Sequence, residues 1–259
     1  MHELPASTVQ NTFYSVAEVR RADQAAIDQA GIPGYVLMCR AAQAALDFAL
    51  TRFPSARSWL LLCGGGNNAG DGYALARLAA AQGISVRVTA LVEPGELSGD
   101  ARRAYDDFAA AGLTATAWDG SLRPGDDLVI DALLGSGLAR PLDGDFRAVV
   151  EQVNRYPAAV LALDIPTGIH GDSGERLGDA VRADVTLSFV GLKTGLVLGA
   201  GIAHSGEVVF TDLDIPDDCR GDDDGVLRRL PEQAISSLLA PRVADAHKGL
   251  FGHVLIVGG

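Results

Sequence analysis

The stretch Gly64-Gly65-Gly66-Asn67-Asn68-Ala69-Gly70-Asp71-Gly72 decides the fold of this chain. It follows an apolar run, residues 59–63, and precedes a helical pattern over residues 73–82. A strand, a glycine-rich loop and a helix in that order are typical of phosphate binding. Glycine lets the backbone approach a ligand closely, and the free N–H groups of the helix's first turn favour an anion. Two asparagines and an aspartate exceed what a simple turn requires, so the segment predicts a binding site.

Apolar runs and helical patterns alternate along the rest of the chain. Two helices come first, one with a capping box at Ser15 and Glu18 and a stop at Gly31, the other over about residues 36–53. Strands are predicted at 59–63, 84–91, 114–118, 127–134, 158–164, 185–190 and 208–213, and further helices at 71–82, 99–111 and 145–154. This order predicts an α/β protein, a three-layer α/β/α Rossmann-like sandwich with a mostly parallel sheet. No helical pattern separates the last two strands, so their pairing stays open.

Composition narrows the class of protein. With 259 residues, 48% of them hydrophobic, the chain has material for one large α/β domain or two small ones. A formal net charge of -12 argues against a partner that is nucleic acid or an anionic membrane. The sequence carries no signal-peptide pattern and no apolar run near the roughly 20 residues that span a membrane, so we expect a cytoplasmic protein. Cys39, Cys63 and Cys219 form no CxxC pair, which argues against a disulfide framework or a zinc site.

Three later loops also carry polar residues where a strand ends. Asp131 interrupts an apolar run ahead of a second glycine-rich turn, Asp164 ends another strand, and Lys193 is the only lysine before position 248. Because ligands bind outside the carboxyl ends of parallel strands, these residues and the asparagine loop are expected to share one site.

Each residue has a simpler explanation when it is taken alone. Asp131 and Asp164 are also typical helix caps or turn formers, and a lone lysine is usually a surface residue. Gly64, Gly66 and Ala69 match the weak pattern G-x-G-x-x-A, which equally suits an NAD-dependent dehydrogenase. Their joint placement at successive strand ends favours a functional site.

Four segments together carry a family resemblance: GGGNNAGDGYALAR, VIDALLGSGL, LALDIPTGIHGDSG and ADVTLSFVGLKTGL. They resemble, in order, the signature segments of the YjeF N-terminal domain, the NAD(P)H-hydrate epimerase family. Residues 247–259 are similar to the opening of the ADP- or ATP-dependent NAD(P)H-hydrate dehydratase domain, which has a ribokinase-like fold. The expected organisation is therefore an epimerase domain at 1–216, a linker at 217–246 and the truncated start of a dehydratase domain at 247–259, without dehydratase activity.

The resemblance implies an isomerase that interconverts the R and S forms of hydrated NADH and NADPH (NADHX and NADPHX). Substrate contacts are implied for the asparagine loop, the second glycine turn and one strand end, namely Asn67, Asn68, Ala69, Gly70, Asp71, Gly135, Ser136, Gly137, Leu138, Ala139, Arg140, Pro141 and Asp164. A potassium ion (K+) is implied at Asn68, Asp131 and Thr167, whose oxygens suit a hard cation. Thr167 stands where the family commonly has serine, and Ala69 replaces a frequent glycine.

Epimerisation requires the hydroxyl to leave and to return on the other face of the ring. We hypothesise that Asp164 and Lys193 transfer the proton and offset the developing iminium charge. Two alternatives stay open: a non-catalytic nucleotide-binding or scaffold module, and a dehydrogenase with Glu93 as ribose acceptor. The two N-terminal helices, which look exposed in the sequence, would suit a homodimer or a higher homo-oligomer.

Overall fold

The computed structural model describes residues 12–219 and 227–230. By its internal contacts the chain divides into two compact units, 1–228 and 229–259. The predicted linker at 217–246 lies mostly outside the described residues, and the predicted dehydratase start at 247–259 lies wholly outside them. The architecture that follows is therefore that of the first unit.

Helices and strands alternate through the first unit as the sequence predicted. The helices are α1 (Val16–Asp28), α2 (Gly34–Arg52), α3 (Asn67–Ala81), α4 (Gly99–Ala110), α5 (Gly144–Val153) and α6 (Gly201–His204). The strands are β1 (Thr12–Tyr14), β2 (Ser58–Cys63), β3 (Ser85–Ala90), β4 (Ala115–Ala117), β5 (Leu128–Ala132), β6 (Ala159–Leu163), β7 (Val185–Phe189), β8 (Leu192–Lys193), β9 (Glu207–Thr211) and β10 (Leu227–Arg228).

Seven parallel strands form the main sheet, in the order β4-β3-β2-β5-β6-β7-β9. β9 pairs in parallel with β7, which answers the open question about the last two strands. The direction of the strand order reverses between β2 and β5. In open α/β sheets such a reversal opens a crevice at the carboxyl ends of the strands, so the loops after β2 and β5 are placed to hold a ligand.

Two apolar layers cover the sheet. Trp59 and Leu61 of β2 pack into the core formed with α1 to α4, while Leu60 and Leu62 of the same strand pack against α5. This alternation follows from the two-residue period of a strand, and burial of both faces is typical of parallel sheets. The predicted three-layer α/β/α Rossmann-like fold is confirmed.

The N-terminal helices are less exposed than the sequence suggested. The capping box forms as predicted: Ser15 Oγ accepts from the N–H of Glu18 at 3.2 Å, and a carboxylate oxygen of Glu18 accepts from the N–H of Ser15 at 2.6 Å. One face of α1, including Val19 and Ala22, and a longer face of α2 are buried in the core. Only their outer faces are left for an interface, so the homo-oligomer stays a prediction.

A second, three-stranded sheet in the order β10-β1-β8 ties the start of the chain to the site. β1 pairs in parallel with β8, which places Tyr14 opposite Lys193. α1 follows β1 after one residue, so this pairing brings α1 beside the predicted catalytic lysine. Among the described residues, the helices are too short or too polar to cross a lipid bilayer.

Candidate active site

A cleft of about 920 Å³ opens at the carboxyl ends of β2, β5 and β6. Most of the predicted site residues line it, as expected from the reversal of strand order. They are Asn67, Asn68, Asp71, Gly135, Ser136, Gly137, Leu138, Ala139, Arg140, Asp164 and Lys193. The four polar loops are therefore brought together at one site.

The asparagine loop is shorter than the sequence predicted, because α3 begins at Asn67 rather than near residue 71. Gly66 provides the N-cap, and its carbonyl accepts from the N–H groups of Ala69 and Gly70 at 3.0 and 3.2 Å. Asn67, Asn68 and Asp71 lie on the side of this first turn that faces the cleft.

Three residues predicted to contact substrate do not line the cleft. Ala69 is completely buried, and a Cβ on Gly70 would lie 2.6 Å from Met38 Cε and 2.9 Å from Ala101 Cα. Gly70 is therefore needed for the close packing of α3 on α2 and α4. Pro141 lies exposed just beyond the cleft-lining part of its loop.

Lys193 and Asp164 form an ion pair at the floor of the cleft. The Lys193 side chain is only 1% exposed, whereas a lone lysine usually lies at the surface. Its ammonium group also donates to Ser188 Oγ at 3.1 Å and to the carbonyl of Phe189 at 2.8 Å. Since an ammonium group has three N–H donors, these partners and Asp164 use all of them.

Asp164 is held in a constrained position. Its φ is 68°, in the left-handed region that side chains rarely adopt, and such strain is found at functional sites. The N–H of Ser136 donates to Asp164 Oδ2 at 2.8 Å. Burial raises the pKa of Asp164, but the charge of Lys193 and the hydrogen bonds from Lys193 and Ser136 outweigh it, so the pKa lies below its ordinary value. Asp164 is therefore a carboxylate at neutral pH.

Gly135 lies between two predicted site residues. A Cβ on Gly135 would lie 2.9 Å from Asp164 Oδ2 and 3.5 Å from Asn68 Cβ. A side chain there would push against the carboxylate that pairs with Lys193. The second glycine turn thus leaves room for both the carboxylate and the amide.

Asp131 and Thr167 lie buried below the cleft and are not part of its lining. Thr167 donates twice to the Asp131 carboxylate, from its N–H at 2.8 Å and from its Oγ1 at 2.7 Å. Burial raises the pKa of Asp131 to about 6, although these bonds and one from the N–H of Leu133 lower it. Among the described residues, no cationic side chain forms a hydrogen bond or an ion pair with the Asp131 carboxylate.

Asn68 is a buried residue with 7% exposure, and neither its Oδ1 nor its Nδ2 has a hydrogen-bond partner among the described residues. Leaving a buried amide unpaired costs about 1–3 kcal/mol. Such a group in a native fold calls for a partner outside the described residues.

Sequence reasoning missed the contribution of α1 to the cleft. Arg20 and Asp23 line it, together with Asp100 of α4. Burial raises the pKa of Asp23, while Lys193 lowers it and Asp164 raises it again. For Asp71, burial and then the carboxylates of Asp164 and Asp23 raise the pKa well above its ordinary value. The capping pattern predicted that α1 forms, but it gave no information about how close α1 lies to the loops.

Among the described residues, no three or more histidine, cysteine, aspartate or glutamate side chains converge as a metal-binding cluster. The predicted potassium ligands are of another kind, since they include an amide and a hydroxyl.

A comparison with known protein families assigns this chain to one of them. The sequence model of the family described as YjeF-related protein N-terminus matches residues 34–195, which contain the predicted site residues. The chain belongs to this family. The YjeF-related match begins at α2, so it does not include β1 and α1.

Related proteins are similar over most of this chain. The bifunctional NAD(P)H-hydrate repair enzyme Nnr of Escherichia coli is 35% identical over 263 residues, which cover 100% of this chain and 50% of that protein. The NAD(P)H-hydrate epimerase of Limosilactobacillus fermentum is 39% identical, covering 76% of this chain and 95% of that protein. The epimerase of Bordetella pertussis is 45% identical, over 67% and 77%. The chain thus spans about half the length of the bifunctional relatives.

A solved structure supports the fold of the YjeF-related domain. The crystal structure of yeast ynu0 superposes with a TM-score of 0.71 at 19% sequence identity, covering 85% of this chain and 96% of that one. At this identity the likeness concerns the fold alone.

Proposed function

We propose that this chain epimerises the R and S forms of hydrated NADH and NADPH, as an isomerase that serves nicotinamide-nucleotide repair. The observation that carries the proposal is the Lys193–Asp164 ion pair at the floor of a cleft that lies where the strand order reverses. The names of the relatives from Limosilactobacillus and Bordetella add the substrate.

The chemistry requires the hydroxyl to leave and return. Loss of water from the hydrated ring needs one proton for the departing oxygen, and the ring nitrogen then stabilises the iminium cation. The Lys193 ammonium can give that proton once the substrate hydroxyl replaces one of its three acceptors. The Asp164 carboxylate offsets the positive ring. Addition of water to the opposite face returns the proton to Lys193, so no net proton is consumed.

We include a potassium ion in the proposal, held by Asn68, Asp131 and Thr167. The donor set fits such an ion because it offers oxygens from an amide, a carboxylate and a hydroxyl, the ligands that hard cations prefer. Two observations favour it: the Asn68 amide lacks a partner among the described residues, and Asp131 is a fully buried carboxylate. When bound, the ion would neutralise the charge of the buried Asp131 carboxylate and would hold the Asn68 amide in place at the cleft.

The two alternatives explain less of the cleft. A dehydrogenase agrees with the strand order, but Glu93, its expected ribose acceptor, does not line the cleft, and Ala69 is buried inside α3. If the chain were only a scaffold module, the strained backbone of Asp164 and the burial of Lys193 would have no explanation. The bifunctional relatives are about twice as long as this chain, and any second activity of theirs lies outside this proposal.

The direct test follows the two hydrate epimers separately. Purified R-NADHX and S-NADHX are each incubated with the protein and resolved by chromatography. We expect either epimer to reach the same mixture much faster than without protein. Binding of NADHX without faster equilibration would favour the scaffold, and formation of NAD+ or NADH with a second substrate would favour the dehydrogenase.

A further inference from the structure

Arg20 is a cleft residue that the proposed reaction has not used. It lies on the exposed face of α1 and lines the cleft with Arg140 of the loop after β5. Within residues 12–219 and 227–230, neither guanidinium has a hydrogen-bond or ion-pair partner. Lys193, the third cation of the cleft, is already neutralised by Asp164.

Arg20 reaches across to the second glycine turn. A Cβ on Gly137 would lie 3.0 Å from Arg20 Nη2, so the absence of a side chain at that position leaves the guanidinium its place. α1 is held in this position by the packing of Val19 and Ala22 in the core and by the pairing of β1 with β8. The guanidinium is therefore directed to the cleft by the fold of the N-terminal segment.

The charge balance of the cleft makes this placement significant. Four acidic side chains, Asp23, Asp71, Asp100 and Asp164, line it beside three basic ones, of which Lys193 is paired with Asp164. A dinucleotide carries two negative charges on its pyrophosphate, and Arg20 and Arg140 are the cations left to bind them. An unpaired guanidinium supplies the forked N–H donors that phosphate oxygens accept.

We propose that Arg20 binds the pyrophosphate of the dinucleotide. The placement of Arg20 near Asp164 favours that group over the distant 2′-phosphate of NADPHX. Asp164 Oδ2 lies 2.9 Å from the place that a Cβ on Gly135 would take, and Arg20 Nη2 lies 3.0 Å from the place of a Cβ on Gly137. The Cα atoms of these two glycines are at most about 7 Å apart. The pyrophosphate is one ribose away from the reacting ring, whereas the 2′-phosphate belongs to the far nucleoside. The inference rests on the proposed substrate but not on its turnover.

The test uses ADP-ribose, which contains the pyrophosphate but lacks the ring that is epimerised. Its affinity is measured by titration calorimetry at low salt for the full chain and for Arg20→Ala. The matched control is Arg21→Ala, since Arg21 is a 73% exposed neighbour on α1 whose contact is with Glu18 at 4.0 Å. Melting temperatures of both variants verify that each is folded.

We expect Arg20→Ala to bind ADP-ribose about tenfold or more weakly, the loss of a charge-assisted hydrogen bond, and Arg21→Ala to stay within about twofold. The loss should be equal for ADP-ribose 2′-phosphate. Equal binding by the two variants, or a wild-type chain that binds no better than Arg20→Ala, would overturn the assignment, as would a loss confined to the 2′-phosphorylated ligand. Binding through Arg20 without epimerisation of NADHX would leave this subsite in place and refute the proposed reaction instead.

Discussion

The ammonium group of Lys193 on β8 forms an ion pair with the carboxylate of Asp164, with side-chain exposures of 1% and 16%. A pair that is withdrawn from water in this way is costly to form and costlier to break, because removing one partner leaves the other as an unpaired buried charge. The stability of the domain and its proposed chemistry therefore depend on the same two groups.

Asp164→Asn should impair both properties. Asparagine tolerates the positive φ at this position, so the backbone is retained. The unpaired Lys193 should lower the free energy of unfolding by about 3 kcal/mol. Loss of the carboxylate should slow epimerisation by roughly 10²- to 10⁴-fold, the range for a positioned acid or base, while NADHX binding stays measurable. Urea unfolding and the epimer assay measure the two effects.

The control for this variant is Asp106→Asn. Asp106 pairs with Arg102 at 2.8 Å on the surface of α4, where the side chains are 55% and 44% exposed, so its loss should cost at most about 0.5 kcal/mol. If Asp164→Asn were as stable as this control, the Lys193–Asp164 ion pair would stabilise the fold no more than a surface pair does. An unchanged epimerisation rate would remove Asp164 from the mechanism.

The stabilisation by Asp164 should depend on pH. Because its pKa is lower in the folded chain than the ordinary value of about 3.9, folding favours the ionised form. The contribution is therefore complete above about pH 4 and is lost as the pH falls through the pKa of the folded state. The difference in unfolding free energy between wild type and Asp164→Asn should stay constant from pH 7 to pH 5 and shrink towards pH 3. A difference that is unchanged at pH 3 would contradict this ion-pair origin.

The strand-end carboxylates could be predicted from the sequence because the geometry of a parallel sheet gathers the carboxyl ends of its strands at one edge. Asp164, at the end of an apolar run, lines the cleft as expected, whereas Asp131, which interrupts such a run, is buried and does not line it. The start of α3 could not be predicted. Gly64 to Gly72 have low helix propensity, and the first turn is held by packing of Gly70 on Met38 and Ala101.

The contribution of α1 could not be predicted either. It depends on β1, three residues long, pairing with β8, two residues long. Such short strands show no alternation that could be read from the sequence. Arg20 and Asp23 therefore reach the cleft through the pairing of β1 with β8, two segments that are far apart in the sequence.

Gly135→Ala should disturb the Asp164 carboxylate with little effect on the backbone. The added Cβ would lie 2.9 Å from Asp164 Oδ2, closer than real Cβ atoms approach, so the carboxylate that pairs with Lys193 must shift. A shift of this size in a reacting group should lower kcat about tenfold or more. Gly95→Ala is the matched control, since its Cβ would meet nothing within 4 Å. Equal kcat values for the two variants would refute a positional requirement at Gly135.

The proposed potassium ion can be tested through Asn68, whose amide lacks a partner among the described residues. An ion that binds only the folded chain raises its stability by RT ln(1 + [K+]/Kd), about 2.7 kcal/mol when its concentration is 100 times Kd. The melting temperature of wild type should therefore be higher in KCl than in choline chloride of equal ionic strength. Asn68→Ala should lose this increment, and in choline chloride it should be no less stable than wild type, because the removed amide forms no hydrogen bond with the described residues and leaving it buried and unpaired is costly.

Asn154→Ala is the control for this experiment. The Asn154 amide donates to the carbonyl of Ala180 at 2.9 Å and accepts from the N–H of Arg182 at 2.8 Å, away from the cleft. This variant should lose stability equally in both salts, by about 1–3 kcal/mol, and keep the response to potassium. The opposite pattern, with Asn68→Ala still responding to KCl or with wild type not responding, would leave Asn68 without an ion and require a substrate group as the partner of its amide.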